Sequence, residues 1–369
     1  MNFDFSEDQK FVQRSAAEYL ADHAPLSVCR SMLESGHDYS QVLWKGAAGL
    51  GWLGTSVPEQ YGGTGLGYLE LAVIAEELGR ALAPIPFASS VYLATEALLL
   101  AGTEEQKQRY LPRLAAGEII GTFATAEAAG GSGVEQTATR FEAGLLSGTK
   151  IPVLDGAVAD FAIVTARSGD NVSLVLADLR SDGVSVQPVT CFDPSRPQAR
   201  ITFRDAPAQQ LGHAADGPAA AERIIDGAAV LTAFEQLGGA QRAFDITKQY
   251  LLERHAFGKP IASFQAIKHR LADLWCEIEL ARSNCYYGAW ALSHGDAELP
   301  VAAAVARISA SDVFTKASQE MIQLHGGVGY TWEFDCHLFY RRARLLALSL
   351  GSTSSWKRKL MDRMAGAAA

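Results

Sequence analysis

The chain has 369 residues, of which 48% are hydrophobic and 20% charged, with a formal net charge of −9. That length accommodates two or three domains and a full core without disulfide staples, and the ordinary composition excludes disorder over most of the chain. The acidic balance argues against a nucleic-acid groove or an anionic membrane surface as the main partner, because both require a positive field. Ser6 and Gln9 supply an S-x-x-Q capping box that predicts a first helix through about His23. Helical periodicity resumes over 39–50, and the Gly/Pro-punctuated run GLGWLGTSVPEQYGGTGLG follows. A long apolar-rich helix is predicted over 68–82, ended by Pro84 and Pro86, and another over 88–101. Thr103 and Gln106 repeat the capping-box pattern and open a helix toward Ala115. Residues 1–118 therefore read as an all-α domain.

The period changes at Glu118. Short β-branched or alternating runs at 121–125, 143–147, 161–165, 172–178, 184–189 and 199–204 predict a small antiparallel β-barrel or sandwich over 119–210. Within it Asp193 and Arg196, in FDPSRPQ, fit a turn between two strands whose path Pro194 and Pro197 fix. Helical pattern returns after Pro218, with long segments at 218–255, 263–294, 299–325 and 330–349 and a shorter one at 353–365. Residues 211–369 thus read as a four-helix bundle, and the fold class as α+β in the order α, β, α.

No apolar run reaches the roughly 18 residues that span a bilayer, and the start MNFDFSEDQK is acidic where a signal peptide would be basic. The expected location is cytoplasmic. The five cysteines, Cys29, Cys191, Cys276, Cys285 and Cys336, have no CxxC spacing and read as thiols in a reducing compartment. The eight histidines form neither HxxxH nor HExxH, so no metal site is expected.

The stretch 251–274, LLERHAFGKPIASFQAIKHRLADL, places Arg254, Phe257, Gly258, Pro260 and Gln265 in a turn between two long helices. It reads either as plain hairpin punctuation, with Arg254 favouring the dipole at a helix C-terminus, or as a place where charge and backbone meet an anionic ligand. The turn in QLHGGVGY is equally two-sided, since adjacent glycines serve a helix C-cap or a close backbone approach. The basic cluster Tyr340-Arg341-Arg342-Ala343-Arg344 suits a phosphate or a salt-bridged bundle surface. Trp275, Tyr286, Tyr287 and Trp290 fall at helical spacing and read as core or interface.

Five segments in order, FDFSEDQ, LGTSVPEQYGGTGLG, GTEEQKQRYLPRLAAGE, the 251–274 stretch and QLHGGVGY, make nearly the whole chain resemble the acyl-CoA dehydrogenase family. The resemblance implies FAD as cofactor, an acyl-CoA substrate, hydride removal from its β-carbon and a carboxylate that takes the α-proton. It also implies a flavin shared between subunits: one β domain cradles the ring, and the neighbour's bundle holds the ADP half. By the same resemblance Arg254, Phe257 and Gln265 match the residues that reach the neighbour's pyrophosphate and adenine. Gln323, Gly326 and Gly327 match the family's QxxGG turn. A guanidinium suits a pyrophosphate because its donor fork meets two oxygens at once.

The ring half departs from the family pattern. Where the family carries TEPxAGSD, this chain has Ala126-Glu127-Ala128-Ala129-Gly130-Gly131-Ser132-Gly133. Where the family carries K-x-W-I-T-N-G, it has Lys150-Ile151-Pro152-Val153-Leu154-Asp155-Gly156, so Pro152 replaces the stacking tryptophan and Leu154 a hydroxyl. The family's Y-E-G-T-S aligns with Ser349-Leu350-Gly351-Ser352-Thr353, which puts Leu350 where the catalytic glutamate belongs. The alternative base position of some relatives falls on Ala228 and Ala229. No catalytic residue is therefore assigned.

The resemblance then implies the non-catalytic subunit of a bacterial α2β2 steroid-type acyl-CoA dehydrogenase. Its partners would be a second acyl-CoA dehydrogenase-like subunit, acyl-CoA and an electron-transfer acceptor protein, with no nucleic acid and no membrane span. Two alternatives stand beside it. One is a self-sufficient homotetramer using Glu235, about two turns further along the same helix, as a displaced base. The other is a silent scaffold that binds neither FAD nor CoA.

Overall fold

The computed structural model describes residues 5–36, 38–127, 134–212 and 217–367. Helix α1 (Glu7–His23) begins on a complete capping box, in which Ser6 accepts from the Gln9 amide and the Gln9 side chain from the Ser6 amide. Helices α2 (Leu26–Ser35), α3 (Gln41–Gly49) and α4 (Tyr68–Arg80) follow. The sequence reading passes over α2, a ten-residue helix directly after Pro25. The single helix expected over 88–101 is a π-helical segment (Ala88–Thr95) that continues into α5 (Glu96–Ala101). Thr103 and Gln106 then cap α6 (Glu104–Ala115) reciprocally.

The middle of the chain carries strands β1 (Gly121–Ala124), β2 (Arg140–Glu142), β3 (Leu145–Leu154), β4 (Phe161–Ser168), β5 (Asn171–Asp178), β6 (Val184–Val189) and β7 (Gln198–Gln210). Pairings β4–β5, β5–β7, β7–β3, β3–β2 and β2–β4 close a ring around Leu146, Val164, Val175, Ile201 and Phe203. The strands are antiparallel except that β1 and β2 each run parallel to β4. The β2–β3 hairpin lies between β1 and β4 in the chain and supplies the crossover that a parallel pairing requires. Residues 143–144, read from sequence as the start of a strand, are instead the turn of that hairpin. Both have positive φ, 50° at Ala143 and 81° at Gly144, as a tight two-residue hairpin turn demands.

The C-terminal region consists of α7 (Gly217–Glu253), a two-stranded hairpin of β8 (His255–Ala256) and β9 (Lys259–Pro260), α8 (Gln265–His294), α9 (Leu299–His325), α10 (Cys336–Ser349) and α11 (Thr353–Ala367). Helix α10 starts later than the predicted 330–349. A 3-10 turn (Gly326–Tyr330) precedes it, and Arg30 takes the Trp332 and Glu333 carbonyls that a helix would have used.

The chain divides into two compact units that cut across this order. One comprises Met1–Ser31, Tyr68–Ala83 and Ala229–Ala369; the other comprises Met32–Gly67 and Pro84–Ala228. In the first, α4 and α7 cross backbone to backbone: a Cβ on Gly79 would lie 1.9 Å from the Glu235 carbonyl oxygen, and one on Gly238 1.8 Å from that of Glu76. Beside this crossing the buried Glu76 accepts from Arg282 at 2.6 Å, and Arg282 also donates to Gln241 at 3.1 Å. Burial works against the Arg282 charge, but Glu76 more than compensates and raises its pKa. In the second unit Asp155 accepts from Ser89 of the π-helical segment at 2.7 Å and pairs with buried Arg196 at 3.5 Å.

The crossing generates a prediction. Alanine suits a helix interior better than glycine by about 1 kcal/mol, yet at 238 its methyl group would meet backbone that has no rotamer to yield. Gly238→Ala should destabilise the chain by on the order of 2 kcal/mol and lower the thermal midpoint by several degrees; an unchanged or raised midpoint in a melting scan contradicts the close crossing.

Candidate functional site

At one end of the bundle, three chain segments carry all six residues matched to the ADP half. Helix α7 ends at Glu253, and Arg254 follows with its amide donating to Tyr250 O at 2.8 Å and its carbonyl accepting from Ile261 at 2.8 Å. Those bonds fold residues 255–260 into the β8–β9 hairpin. At its tip Phe257 is 94% exposed with φ +54°, a backbone conformation uncommon for a bulky residue. Gln265 is the first residue of α8 and is exposed, as is Arg254. Gln323 lies in the last turn of α9, with Gly326 and Gly327 directly beyond it, all three exposed.

The two readings of the glycine pair separate here. Gly326 has φ +64°, so the helix end alone accounts for it. Gly327 has no positive φ, and a Cβ added there would meet nothing within 4 Å. Nothing in the described packing requires glycine at 327, and the space beside it is open to a group from outside.

Two cross-links, absent from the sequence reading, bring these segments together. The Tyr250 and His325 rings stack with centroids 4.2 Å apart at 22°, and Arg270 of α8 pairs with Glu320 of α9 through two bonds of 2.8 Å. His325 Nδ1 lies 2.7 Å from Met321 O, which can only accept, so Nδ1 carries the proton. Burial holds this imidazole below its ordinary pKa, against the opposing pull of that bond. The only advance signal was an aromatic residue one turn before Arg254 and another directly before the glycines.

In the other unit, the strap 125–127 is fixed from below. Fully buried Lys150 donates to Thr125 O at 3.2 Å, Glu127 at 2.5 Å and Thr165 Oγ1 at 3.0 Å. Burial raises the pKa of Glu127, but Lys150 and the Thr139 and Ala138 amides outweigh it and hold the carboxyl below its ordinary range. The Ala126 carbonyl accepts from the Ile151 amide at 2.8 Å. Pro152 is exposed and Leu154 buried, so neither an aromatic face nor a hydroxyl is offered at those positions. The rest of that run, residues 128–133, lies outside the described residues.

At the position of the family's glutamate, Leu350 follows the last turn of α10, where its carbonyl accepts from Trp356 Nε1 at 2.9 Å. Arg307 of α9 donates to Leu346 O one turn earlier. Ala228 and Ala229 are buried and carry no titratable group. Glu235, the displaced-base alternative, lies inside the bundle. It is 2% exposed in α7, and its charge supports the Arg307 guanidinium, which burial lowers to about 10. This carboxylate belongs to the interior electrostatics of the bundle. Of the basic cluster, Arg342 is buried and donates to Leu82 and Ala83 carbonyls, while Arg341 lies over the Trp332 ring. Trp275 packs on Phe244, Tyr286 on Phe5 and Phe234, and Tyr287 on Trp290.

A helical N-terminal region, a β-ring and a C-terminal helical bundle follow one another in the order that the family resemblance implies. Known proteins make the class definite. The family profile for "Acyl-CoA dehydrogenase, N-terminal domain" matches residues 6–118, and that for "Acyl-CoA dehydrogenase, C-terminal domain" matches 215–365. Acyl-CoA dehydrogenase IpdE2 of Mycobacterium tuberculosis is 34% identical over 364 residues, covering 96% of each chain. A probable acyl-CoA dehydrogenase of Bacillus subtilis, YngJ, is 31% identical over 386 residues, covering 98% of this chain and 99% of its own. Among solved structures, the Tcur3481-Tcur3483 steroid ACAD aligns with a TM-score of 0.90 at 32% identity, over 98% of this chain and 99% of that one. The chain belongs to the acyl-CoA dehydrogenase family, whose members are FAD-dependent oxidoreductases acting on CH–CH groups of acyl-CoA. Among the described residues no helix is long and apolar enough to cross a membrane.

The strap offers a pH test. Burial lowers the Lys150 pKa from 10.5 to about 8, outweighing the attraction of Glu127. Between those values the unfolded chain binds a proton that the folded chain has released, so this group's contribution to stability rises with pH across the window. The thermal midpoint of the wild type relative to Lys150→Met should therefore climb from about pH 8 toward 10.5. A flat difference would mean that Lys150 is solvated.

Proposed function

We propose that this chain is the non-catalytic member of a heteromeric FAD-dependent acyl-CoA dehydrogenase, lending ADP-side contacts to a flavin held by a second, related subunit. In this reading the substrate is a bulky acyl-CoA of steroid type, the electrons pass to a transfer protein, and the assembly is cytoplasmic. The observation that carries it is a contrast. Arg254, Phe257, Gln265, Gln323, Gly326 and Gly327 are all exposed at one bundle end, while Leu350 occupies the place of the base.

The fit of FAD differs between the two halves. The bundle end offers a guanidinium, two amide side chains, an exposed ring and an open glycine, a donor set suited to pyrophosphate and adenine. When bound, FAD supplies the redox chemistry; this chain binds and orients its ADP half. Ala126, Pro152 and Leu154 do not fit the ring, because they present no side-chain hydroxyl or aromatic face. No proton transfer is assigned to this chain, since leucine accepts none. The Tcur3481-Tcur3483 steroid ACAD carries two chain names, which supports both a mixed assembly and a steroid-type substrate.

Purified alone, the chain should be colourless and inactive; co-purified with a related flavin-bearing subunit, it should give a yellow, active complex with one FAD per pair of chains. A yellow, active homomer overturns the reading. Glu235→Gln should leave turnover of that complex unchanged, and a loss of turnover without loss of folding would restore Glu235 as a base.

A further inference from the structure

The six exposed residues sit on three segments far apart in sequence, and a ligand with fixed internal spacing requires those segments to hold a fixed spacing too. Each segment is a helix end or a loop, the kind of element that opens locally at low cost. What stabilises their mutual position is one aromatic contact whose two members each adjoin a binding segment. Tyr250 lies one helical turn before Arg254, and its carbonyl accepts the Arg254 amide at 2.8 Å. His325 is bonded directly to Gly326 and is only 4% exposed. Their rings stack at 4.2 Å and 22°, and a longer bond of 3.4 Å joins Tyr250 Oη to the His325 carbonyl. Phe334 closes the edge of the pair, with centroids 6.4 Å from Tyr250 and 6.1 Å from His325. The imidazole is held in turn by its Nδ1 bond to Met321 O at 2.7 Å, one turn back on α9. The His325 ring cannot rotate away without breaking a bond on its own helix, nor the Tyr250 ring without leaving His325 and Phe334.

We propose that the Tyr250–His325 stack is a positioning device that sets the spacing between Arg254 on one side and Gly326–Gly327 on the other. The inference rests on the ADP-side reading of those residues and adds two that touch no part of the ligand themselves. Arg270–Glu320 performs the matching task between α8 and α9, but it lies on the exposed surface, where an ion pair contributes little. The aromatic pair is the partly buried link, and its two members adjoin Arg254 and the glycine turn.

The test uses the complex of this chain with its flavin-bearing partner and measures FAD affinity by the recovery of flavin fluorescence on release. Tyr250→Leu and His325→Leu should each weaken FAD binding about tenfold, near the upper end of what one aromatic pair is worth. The two approach the stack from opposite sides, so the test survives if one of them fails to fold. The double variant should be no weaker than the worse single, because either change already removes the shared contact. Tyr250→Phe and His325→Phe keep a stacked pair and should restore affinity to within about twofold. A merely structural role would instead show as a lowered melting temperature with affinity intact, and that outcome overturns the proposal, as do additive losses in the double variant. Arg254→Gln separates the two levels. If it weakens FAD binding and the Leu variants do not, the positioning role alone fails; if it too has no effect, the ADP-side reading fails and takes the positioning role with it.

Discussion

Two glycines allow the bundle unit to exist in this form. Because Gly79 and Gly238 lack side chains, α4 and α7 approach until each touches the other's backbone carbonyl. Helices at that distance leave no room for an apolar layer between them, so polar groups beside the crossing are sealed from water and must find partners within the protein. Glu76 is sealed in this way, and Arg282 answers it from α8. The neighbouring Arg80 then bridges Glu77 and Asp245, and Gln13 of α1 reaches Glu77. A line of charge pairs therefore runs through α4, α7 and α8 beside this close contact, and removing Arg282 would leave the buried Glu76 without its cation.

Much of the architecture was legible because local rules decide it. Ser6–Gln9 and Thr103–Gln106 cap their helices as the spacing S/T-x-x-Q predicts, and the change from helical to alternating period marks the β region correctly. What escaped is non-local or depends on fine backbone geometry. Ala143 adopts a positive φ that an alanine does not advertise, so the hairpin turn passed for a strand. Residues 331–335 keep a helical pattern, yet an arginine some three hundred positions earlier takes the carbonyls and delays α10. The parallel pairings of β4 reflect a crossover that no single strand's sequence encodes.

The candidate site was legible to a different degree. Arg254, Gln265 and the glycine pair were nameable only through family resemblance, since spacing alone suits ordinary helix ends equally well. Exposure leaves all six accessible, as either reading requires. That leucine at 350 accepts no proton was readable directly, whereas its match to the family's glutamate came from the resemblance. The tyrosine and histidine that join the two segments carried almost no sequence signal, being typical helix-end aromatics until the fold places their rings face to face.

Around Leu350, Arg307 holds the Leu346 carbonyl, and Trp356 holds that of Leu350. Phe257 at 94% and Tyr330 at 78% exposure, with Leu252 and Trp332 also exposed in the same unit, have a consequence of another kind. Large apolar side chains left in water at one end of a bundle make the isolated chain a poor tenant of a crowded cell, because any surface that covers them lowers the free energy. Covering these side chains would stabilise the folded chain in proportion to the surface that does so, because whatever binds only the native state raises its stability.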